Sequence, residues 1–582
     1  MNLYEELRQD VLRAIADRQA KGDLPNDLSV DRVTAEPPRD PSHGDISTNA
    51  ALLLAKQAKM PPLAIAELLV ADLGALDKVA TAEIAKPGFV NLRLEDDVWR
   101  DQVRVALTTD EDYGLTDIGK GQVVNVEYCS ANPTGPLHIG HGRGTVFGDA
   151  LANLLEKMGF AVTREYYIND GGIQIDHLAR SVYHRYLEAL EAAPEEQPEG
   201  FYPGDYLIPL GHKIAEDDKD RWQYAAELDW MPVFRSRAIT AMMAMIRDDL
   251  EALGVVHDVF TSEAALVDEG KVDEAFALLE EMGLIYEGTL PPPKGKPVED
   301  WEPVSLMLFR ATDYGDDIDR PLKNSSGDLT YFGKDLAYHL DKYRRSAHQM
   351  INIWGADHGG YVKRMQAAVK ALSQGGGTLD VKLCQLVNLL DGGQPIRMSK
   401  RAGRIVTLRD VIDEVGKDVV RFIMLTRKND APLDFDLAEV TEKSRENPVF
   451  YVQYAHARIR SVERHAVEAD LPIDPVRLLD ADLGLLRDAH ELALIKQLAQ
   501  YPRVLASAAV QHEPHRVAFY LGDLAASFHA LWNQGKEQPE LRFLVSDDAD
   551  VTKARLALIG AVRIGIASGL KMMGVDPVEE MT

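Results

Sequence analysis

Two histidines, His138 and His141, stand three residues apart in the stretch ANPTGPLHIGHGRG, which runs from Ala131 to Gly144. The same stretch contains four glycines and two prolines. Glycine allows a tight turn and a close approach to a ligand, and a helix N-terminus presents free N–H groups and partial positive charge. Histidines there can donate hydrogen bonds to phosphate oxygens whose charge grows in a transition state. The pattern indicates a site for a nucleoside triphosphate.

An isolated H-x-x-H pair also occurs in ordinary loops, so the context of this pair decides between the two interpretations. The pair follows the strand-like run GQVVNVEY, which begins at Gly121. It opens a strongly amphipathic helix, whose apolar face comprises Val146, Phe147, Ala150, Leu151, Leu154, Leu155 and Met158. A buried strand, a glycine-rich turn and a helix favour phosphate binding over a plain loop.

A second basic element, RMSKRAGR, spans Arg397 to Arg404. Taken alone, it is typical of a solvated surface loop. Paired with the two histidines, the loop could bring the ammonium group of Lys400 to a leaving pyrophosphate. Positioning and charge stabilisation are the main sources of catalysis in phosphate displacement.

The elements around these residues predict a multidomain α/β protein. The order strand, loop, helix and strand (FAVTREYYIND from Phe160) opens a doubly wound parallel sheet. Before it, helices at about 3–19, 49–59 and 63–73 and a strand at 88–94 predict a small α+β unit. After about residue 445 nearly every segment has helical periodicity, including the stretch 489–510, which predicts a separate helix bundle.

Composition restricts the class of protein. A chain of 582 residues suggests three or four domains, and no apolar run is long enough to span a bilayer. The acidic residues near the start argue against a secretory signal or transit peptide, and two distant cysteines, Cys129 and Cys384, exclude a disulfide scaffold or a cysteine-rich zinc site. A net charge of −29 means that any nucleic-acid partner must bind to local basic clusters.

Several segments together resemble class I aminoacyl-tRNA synthetases and, more narrowly, the arginyl-tRNA synthetases. The signature loop is similar in EYCSANPTGPLHIGH, and the N-terminal additional domain in SHGDISTNAALLLAK with PGFVNLRL. GDLTYFGKDLAYHLDK resembles the amino-acid pocket segment, and NPVFYVQYAHAR with LGDLAASFHALWN resembles the helical anticodon-binding domain. Four regions in the same order as in the family extend the resemblance from end to end.

This resemblance implies four parts. Residues 1–115 would be the N-terminal additional domain, which recognises the tRNA elbow, and 116–400 a Rossmann-type catalytic domain with an insertion at about 175–300. Residues 401–445 would link it to the anticodon-binding bundle, 446–582.

The resemblance also implies roles for single residues. His138, His141 and Lys400 would be catalytic, and ATP would contact them together with Pro133, Gly135, Gly140, Met398 and Ser399. Arginine would lie against Glu127, Ser130, Asn132, Tyr331 and Asp335, with His358 as a candidate for a further contact. A carboxylate such as Asp335 suits a guanidinium group, which forms paired hydrogen bonds with it. The alternative for Asp335 is a solvated helix carboxylate.

Departures from the family pattern concern the second element. Arg397 stands where the family has its first lysine, and Arg401 where it has its last serine. Positive charge is retained at the first position and added at the second, but the hydrogen bond of the serine is lost.

For tRNA, the first helix of the bundle offers Tyr451, Tyr454 and Arg458 as contacts, because aromatic and guanidinium groups stack on unpaired bases. Arg460 and Arg464 would share the other helix face and contact phosphate or only solvent. The alternative is that both tyrosines belong to the core.

The predicted function is ATP-dependent attachment of L-arginine to tRNA-Arg through an arginyl-adenylate. ATP with Mg²⁺ would be a substrate, with no zinc and no other metal site. The expected protein is a cytoplasmic monomer without a membrane partner. Two alternatives stay open: a small-molecule nucleotidyltransferase, which needs no helical bundle, and a non-catalytic tRNA-binding relative, against which the presence of His138, His141 and Lys400 argues.

Overall fold

A computed structural model describes residues 2–291, 304–345, 347–396, 406–444 and 446–581. The expected α/β architecture, with a small α+β unit before it and a helix bundle after it, is confirmed. Among the described residues, no helix combines the length and the apolar character needed to cross a bilayer.

The N-terminal unit packs three helices against a four-stranded antiparallel sheet. The helices are α1 (Leu3–Ala20), α2 (Ala50–Ala58) and α3 (Pro62–Leu73). The strands are β1 (Ala35–Glu36), β2 (Ile46–Thr48), β3 (Val79–Ala85) and β4 (Phe89–Leu94), in the spatial order β1-β2-β4-β3. The helices and the strand expected from the sequence agree with these bounds to within two residues. Helix α4 (Asp96–Thr109) connects the unit to the rest of the chain.

Five parallel strands form the central sheet. They are β5 (Val123–Glu127), β6 (Ala161–Ile168), β7 (Val259–Ser262), β11 (Gln349–Gly355) and β12 (Thr378–Cys384), in the spatial order β12-β11-β5-β6-β7. Helix α5 (Ile139–Lys157) crosses over between β5 and β6. The chain leaves β5 towards β6 and later returns on the other side as β11. The carboxyl end of β5 is therefore a topological switch point, where such sheets bind ligands.

The insertion expected at about 175–300 needs a correction. Strand β7 lies inside that range, yet it pairs in parallel with β6 in the central sheet. Two excursions leave the sheet instead of one. The first contains α6 (Ile173–Ala189), α7 (Ile208–Asp218) and α8 (Glu227–Ala252). The second contains α9 (Glu263–Asp268), α10 (Lys271–Glu281) and an antiparallel sheet of β8 (Ile285–Gly288), β9 (Leu306–Phe309) and β10 (Arg320–Pro321).

The chain then returns to the central sheet through α11 (Tyr331–Arg344), and α12 (Val362–Leu372) joins β11 to β12. A third, small sheet follows, with β13 (Val387–Asp391) between β14 (Gln394–Pro395) and β15 (Leu433–Asp436). Helices α13 (Leu408–Val415), α14 (Lys417–Met424) and α15 (Leu437–Thr441) lie in the linking range. That range thus contains β15, which pairs in parallel with β13.

The C-terminal part is a helix bundle. It comprises α16 (Pro448–Glu468), α17 (Pro475–Leu478), α18 (Ala489–Ala499), α19 (Tyr501–Gln511), α20 (His515–Glu537) and α21 (Ala549–Met572). The stretch 489–510, expected as one helical segment, is two helices. Pro502 lies in the first turn of α19, where its missing N–H costs nothing, and a helix running through it would lose a hydrogen bond.

Arg421 of α14 connects the bundle to the central sheet. Its fully buried guanidinium pairs with Asp149 of α5 and donates to the backbone carbonyl groups of Leu253, at 3.2 Å, and Met573, at 2.8 Å. Asn153 of α5 donates to the carbonyl of Met572 at 3.2 Å. Burying a charge is costly unless it is paired and hydrogen-bonded, so these contacts hold α5 and the end of α21 in one arrangement.

Candidate active site

The two histidines form the first turn of α5, at the carboxyl edge of the central sheet. His138 is the N-cap residue, and its Nδ1 accepts a hydrogen bond from the Gly140 amide at 3.1 Å. The amide of His138 in turn donates to Nδ1 of His141 at 3.3 Å. The two rings stack with centroids 3.7 Å apart. This reciprocal cap fixes both imidazoles at the positive end of the helix.

The electrostatics of His141 define its chemical form. Burial, with a smaller contribution from His138, lowers the pKa of His141 to about 3, so the ring is neutral near pH 7. Because Nδ1 of His141 accepts a hydrogen bond, the proton of the neutral ring lies on Nε2. His141 is therefore a neutral hydrogen-bond donor at this position.

The turn between β5 and α5 is conformationally unusual. Cys129 and Ser130 have φ values of +69° and +37°, which place two non-glycine residues in the left-handed region. Such residues cost free energy and cluster at functional sites. A Cβ on Gly135 would lie 2.9 Å from the hydroxyl of Tyr206, so only glycine fits there without displacing that side chain. Pro133 is buried, and Asn132 is exposed and donates to Gln174 at 2.9 Å.

The basic element with Met398, Ser399 and Lys400 lies outside the described residues. The chain after this element is described again from residue 406. Thr407 pairs with His138 in an isolated antiparallel bridge, and the Leu408 amide donates to the Leu137 carbonyl at 2.7 Å. At Thr407, seven residues after Lys400, the described chain lies directly beside the histidines.

A buried carboxylate, that of Glu127, ends β5 beside this turn. Its Oε2 accepts a hydrogen bond from Nζ of Lys342 at 2.6 Å, and its Oε1 accepts one from Ser130 at 3.2 Å. Lys342 is fully buried and also donates to Oδ1 of Asn352 at 3.2 Å. The predicted residues Glu127 and Ser130 thus come together between β5 and α11, in the expected arginine pocket.

Asp335 lies one turn after Tyr331 on α11, as expected for two residues on one helix face. The hydroxyl of Tyr361 donates to its Oδ2 at 2.6 Å. Burial, together with the nearby charges of Glu263 and Glu127, raises the pKa of Asp335 to about 7, although the hydrogen bond from Tyr361 acts in the opposite direction. Asp335 is therefore a half-buried carboxyl group whose negative charge is not fully compensated, and the alternative of a solvated helix carboxylate does not hold.

Tyr331 and His358 are less enclosed. Tyr331 is 59% exposed, with Nζ of Lys334 5.9 Å from its ring centroid. His358 is exposed, and its Nε2 lies 3.6 Å from a carboxylate oxygen of Asp357. Three residues later, Tyr361 makes the contact with Asp335. The role of His358 in the pocket stays a prediction.

Sequence reasoning missed five residues of this pocket: Tyr167, Glu263, Lys334, Lys342 and Tyr361. Glu263 follows β7 directly. Its carboxylate accepts hydrogen bonds from Nζ of Lys334 at 2.7 Å and from the Tyr167 hydroxyl at 3.2 Å. The rule that ligands bind at the carboxyl ends of parallel strands would have indicated it, had β7 been recognised. Lys342 stands seven residues after Asp335, so both lie on one side of the helix. This spacing could have indicated that Lys342 lies near Asp335.

The second candidate surface lies on α16 of the bundle. The Arg458 guanidinium lies 4.0 Å from the ring centroid of Tyr454 and 4.9 Å from that of Trp532, and it donates to the Tyr454 hydroxyl at 2.9 Å. Tyr451 is half-buried, with its ring centroid 4.6 Å from that of His529. Arg458 is thus oriented towards Tyr454, as expected.

Arg460 and Arg464 share the other face of α16, also as expected. Both form ion pairs with acidic residues. Arg460 pairs with Glu463 and Glu579, and Arg464 lies 3.5 Å from a carboxylate oxygen of Glu580. Their positive charge is therefore largely compensated within the chain.

Comparison with known families gives three matches along the chain. Residues 5–94 match the arginyl tRNA synthetase N terminal domain, 102–204 the class I (R) tRNA synthetase catalytic domain, and 452–581 the DALR anticodon binding domain.

Proteins that are similar to this chain over their whole length have names that agree with these three domain matches. An arginine–tRNA ligase of Rhodospirillum rubrum is 57% identical over 592 residues, and one of Xanthobacter autotrophicus is 54% identical over 586, each match covering 100% of both chains. An arginyl-tRNA synthetase structure from Campylobacter jejuni is 32% identical, with a TM-score of 0.72, and covers 84% of this chain and 100% of that one. The Thermus thermophilus arginyl-tRNA synthetase is similar in fold, with a TM-score of 0.73 at 22% identity and 100% coverage of both chains.

Proposed function

The chain belongs to the arginyl-tRNA synthetase family, and from this premise we propose how its residues attach arginine to tRNA. Its activity is that of an arginine–tRNA ligase with a class I catalytic domain that uses ATP. One observation carries the assignment of residues. A helix N-terminus with two oriented histidines and a cluster of three carboxylates around Tyr167 both lie at the carboxyl edge of the parallel sheet.

The first step is adenylate formation. A carboxylate oxygen of arginine attacks the α-phosphorus of ATP, and pyrophosphate leaves. His138 and the neutral His141 lie where the phosphates would meet the α5 N-terminus, with Pro133 and Gly135 in the preceding turn and Gly140 in the first turn of the helix. Lys400, with Met398 and Ser399, would contact the leaving pyrophosphate from the segment that precedes Thr407. Fixed donors of this kind stabilise charge that develops only in the transition state.

Mg²⁺ would be bound through the phosphate oxygens of ATP, and it would neutralise their charge. Within the described ranges, no group of three or more histidine, cysteine, aspartate or glutamate side chains is arranged to hold a metal ion. The metal is therefore proposed as part of the substrate.

Arginine would occupy the pocket between β5 and α11. Asp335 and Tyr331 would contact the guanidinium group, with His358 as a further candidate. Glu127, Ser130 and Asn132 would surround the α-ammonium and the reacting carboxylate. In the second step a terminal ribose hydroxyl of tRNA attacks the carbonyl carbon of the adenylate, and AMP leaves.

For tRNA, we propose the α16 surface with Tyr451, Tyr454 and Arg458 as the anticodon contact, and residues 1–115 as the contact with the tRNA elbow. The remaining parts would be 116–400 for catalysis and 401–445 as the link to the bundle 446–582. A cytoplasmic monomer is proposed, and sedimentation equilibrium tests the monomer.

Aminoacylation of total tRNA, assayed with each amino acid in turn, tests the function. Charging with arginine alone is expected, together with ATP–pyrophosphate exchange that depends on arginine and on tRNA. Exchange without tRNA and without any charging would favour a small-molecule nucleotidyltransferase, and tRNA binding without exchange would favour a non-catalytic relative.

The affinity for arginine is expected to rise with pH. Because the pKa of Asp335 is raised to about 7, the carboxyl group of the free protein is largely protonated below that pH, and a guanidinium group binds the ionised form. The dissociation constant should therefore fall by up to about tenfold per pH unit below pH 7 and level off above it. Calorimetry between pH 5.5 and 8.5 measures this, with proton release on binding at the lower end. A flat profile would contradict the assignment.

The contact of Arg458 with tRNA gives a separate prediction. Arg458→Ala is expected to weaken charging of tRNA by roughly tenfold or more, because stacking on a base contributes about 1–3 kcal/mol. The salt dependence of tRNA affinity should change little, since a base contact releases few counterions. Arg464→Ala, whose charge is already compensated by Glu580, is the matched control and should have the smaller effect. If both variants equal the parent at every salt concentration, this face of α16 does not bind the anticodon.

A further inference from the structure

Three carboxylates from three different elements lie around Tyr167. Glu127 ends β5, Glu263 begins α9 directly after β7, and Asp335 lies on α11. Their charges act together on the hydroxyl of Tyr167. Burial first, and then Asp335, Glu263 and Glu127, raise the pKa of that tyrosine. Negative charges gathered around one buried side chain repel one another unless cations compensate them.

Two lysines of α11 provide this compensation. Nζ of Lys342 lies 2.6 Å from Glu127, and the lysine side chain is fully buried. Nζ of Lys334 lies 2.7 Å from Glu263, whose side chain is only 3% exposed. Each lysine therefore neutralises one carboxylate at a fixed position.

Asp335 has no such partner. In the described parts of the chain, no lysine, arginine or histidine side chain lies within ion-pairing distance of it, and its hydrogen bond comes from the neutral hydroxyl of Tyr361. Two further titratable groups nearby do not alter the balance. Arg345 pairs with Glu165 at 2.8 Å, and burial lowers the pKa of His339 to about 3, which keeps that ring neutral. Three carboxylates and two lysines leave one net negative charge, which matches the single net positive charge of arginine.

We propose that Lys334 and Lys342 are specificity-determining residues that set the net charge of the pocket, so that it prefers a ligand of net charge +1. This rests on the proposed function, since it takes the pocket to be the arginine site. Without the Lys334 charge, Glu263 would add a second uncompensated negative charge. The pocket would then favour a ligand with two positive charges and no carboxylate over arginine.

The test compares two ligands that share the guanidinium group. L-arginine has a net charge of +1, and agmatine, which is arginine without its carboxylate, has +2. Dissociation constants for both are measured by calorimetry at pH 8 on the full-length parent and on Lys334→Met. In the variant, the affinity for agmatine relative to arginine is expected to increase by roughly tenfold or more, because one unit charge at this range interacts that strongly.

Three further variants control this experiment. Lys334→Arg keeps the charge and should keep the ligand ratio of the parent. Lys363→Met removes an exposed lysine that pairs with Asp317 and should also leave the ratio unchanged. Lys342→Met should shift the ratio in the same direction as Lys334→Met, if the protein folds.

The outcomes separate the two proposals. If Lys334→Met lowers the affinity for both ligands equally, or changes neither affinity, the lysine has only a structural role or none. The inference is then wrong. If the parent itself binds no arginine, the assignment of the pocket fails, and with it the proposed function of these residues.

Discussion

Asp335→Asn is expected to lower kcat/KM for arginine by a factor on the order of a thousand. The guanidinium group of bound arginine would lose its countercharge and would face an amide N–H₂ group in place of a carboxylate oxygen. Loss of one partner of a buried ion pair costs about 3–5 kcal/mol. The variant keeps the size of the side chain, so the Tyr361 hydroxyl can still donate to the remaining oxygen. Arginine-dependent charging under steady-state conditions measures the effect.

A matched control is Asp317→Asn, which alters an exposed carboxylate that pairs with Lys363 on α12. It should charge normally, because surface ion pairs contribute little. Normal charging by Asp335→Asn would place the guanidinium elsewhere, with Glu263 as the first alternative. The pH dependence of arginine binding below pH 7 should also disappear in Asp335→Asn, since the titrating group is gone.

His141→Ala should lower the rate of adenylate formation by about a hundredfold or more, with little change in the KM for arginine. In the proposed mechanism, the neutral ring donates from Nε2 to a phosphate oxygen whose charge increases as pyrophosphate leaves. Loss of one such donor costs about 3 kcal/mol. ATP–pyrophosphate exchange in the presence of tRNA measures this step. His138→Ala and Lys400→Ala are expected to lower the same rate.

A second substitution separates chemistry from helix capping. In His141→Asn, the side-chain oxygen can still accept the His138 amide hydrogen bond that Nδ1 accepts in the parent, but the Nε2 donor is absent. The thermal midpoint should stay near that of the parent while exchange remains slow. Recovery of exchange in His141→Asn would mean that His141 acts only as a cap.

The sequence predicted the strand, turn and helix around His138 and His141 well because these elements are contiguous. Strand, turn and helix occupy one stretch around His138 and His141, and the helical period and glycine content are local signals. The histidine cap could not be foreseen, because it depends on which ring nitrogen meets which amide. Likewise, residues 397–405 could be assigned only by type, and the proximity of Thr407 to His138 emerged only from the fold.

The side chains around Asp335 were predicted only in part, because they come from widely separated elements. Tyr331 and Asp335 were identified through one segment that resembles the family, whereas Glu263 and Tyr361 reach the same place through long-range packing. Strand β7 has four residues, too few for a periodicity signal, so the range around it was assigned to an insertion. In the bundle, helical periodicity was sufficient to identify the helices but not to show that Arg460 and Arg464 are paired with acidic residues.

The contact between Arg421 and the Met573 carbonyl has a consequence for the order of events during synthesis. The two residues are 152 positions apart, so α14 leaves the ribosome long before its partner carbonyl exists. Until then, the guanidinium that pairs with Asp149 lacks one of its acceptors. Domains usually fold in the order in which they are translated. Here the nascent central sheet can collapse early but completes its buried hydrogen bonds only after α21 has been made and has docked, so α5 gains its last contacts at the end of synthesis.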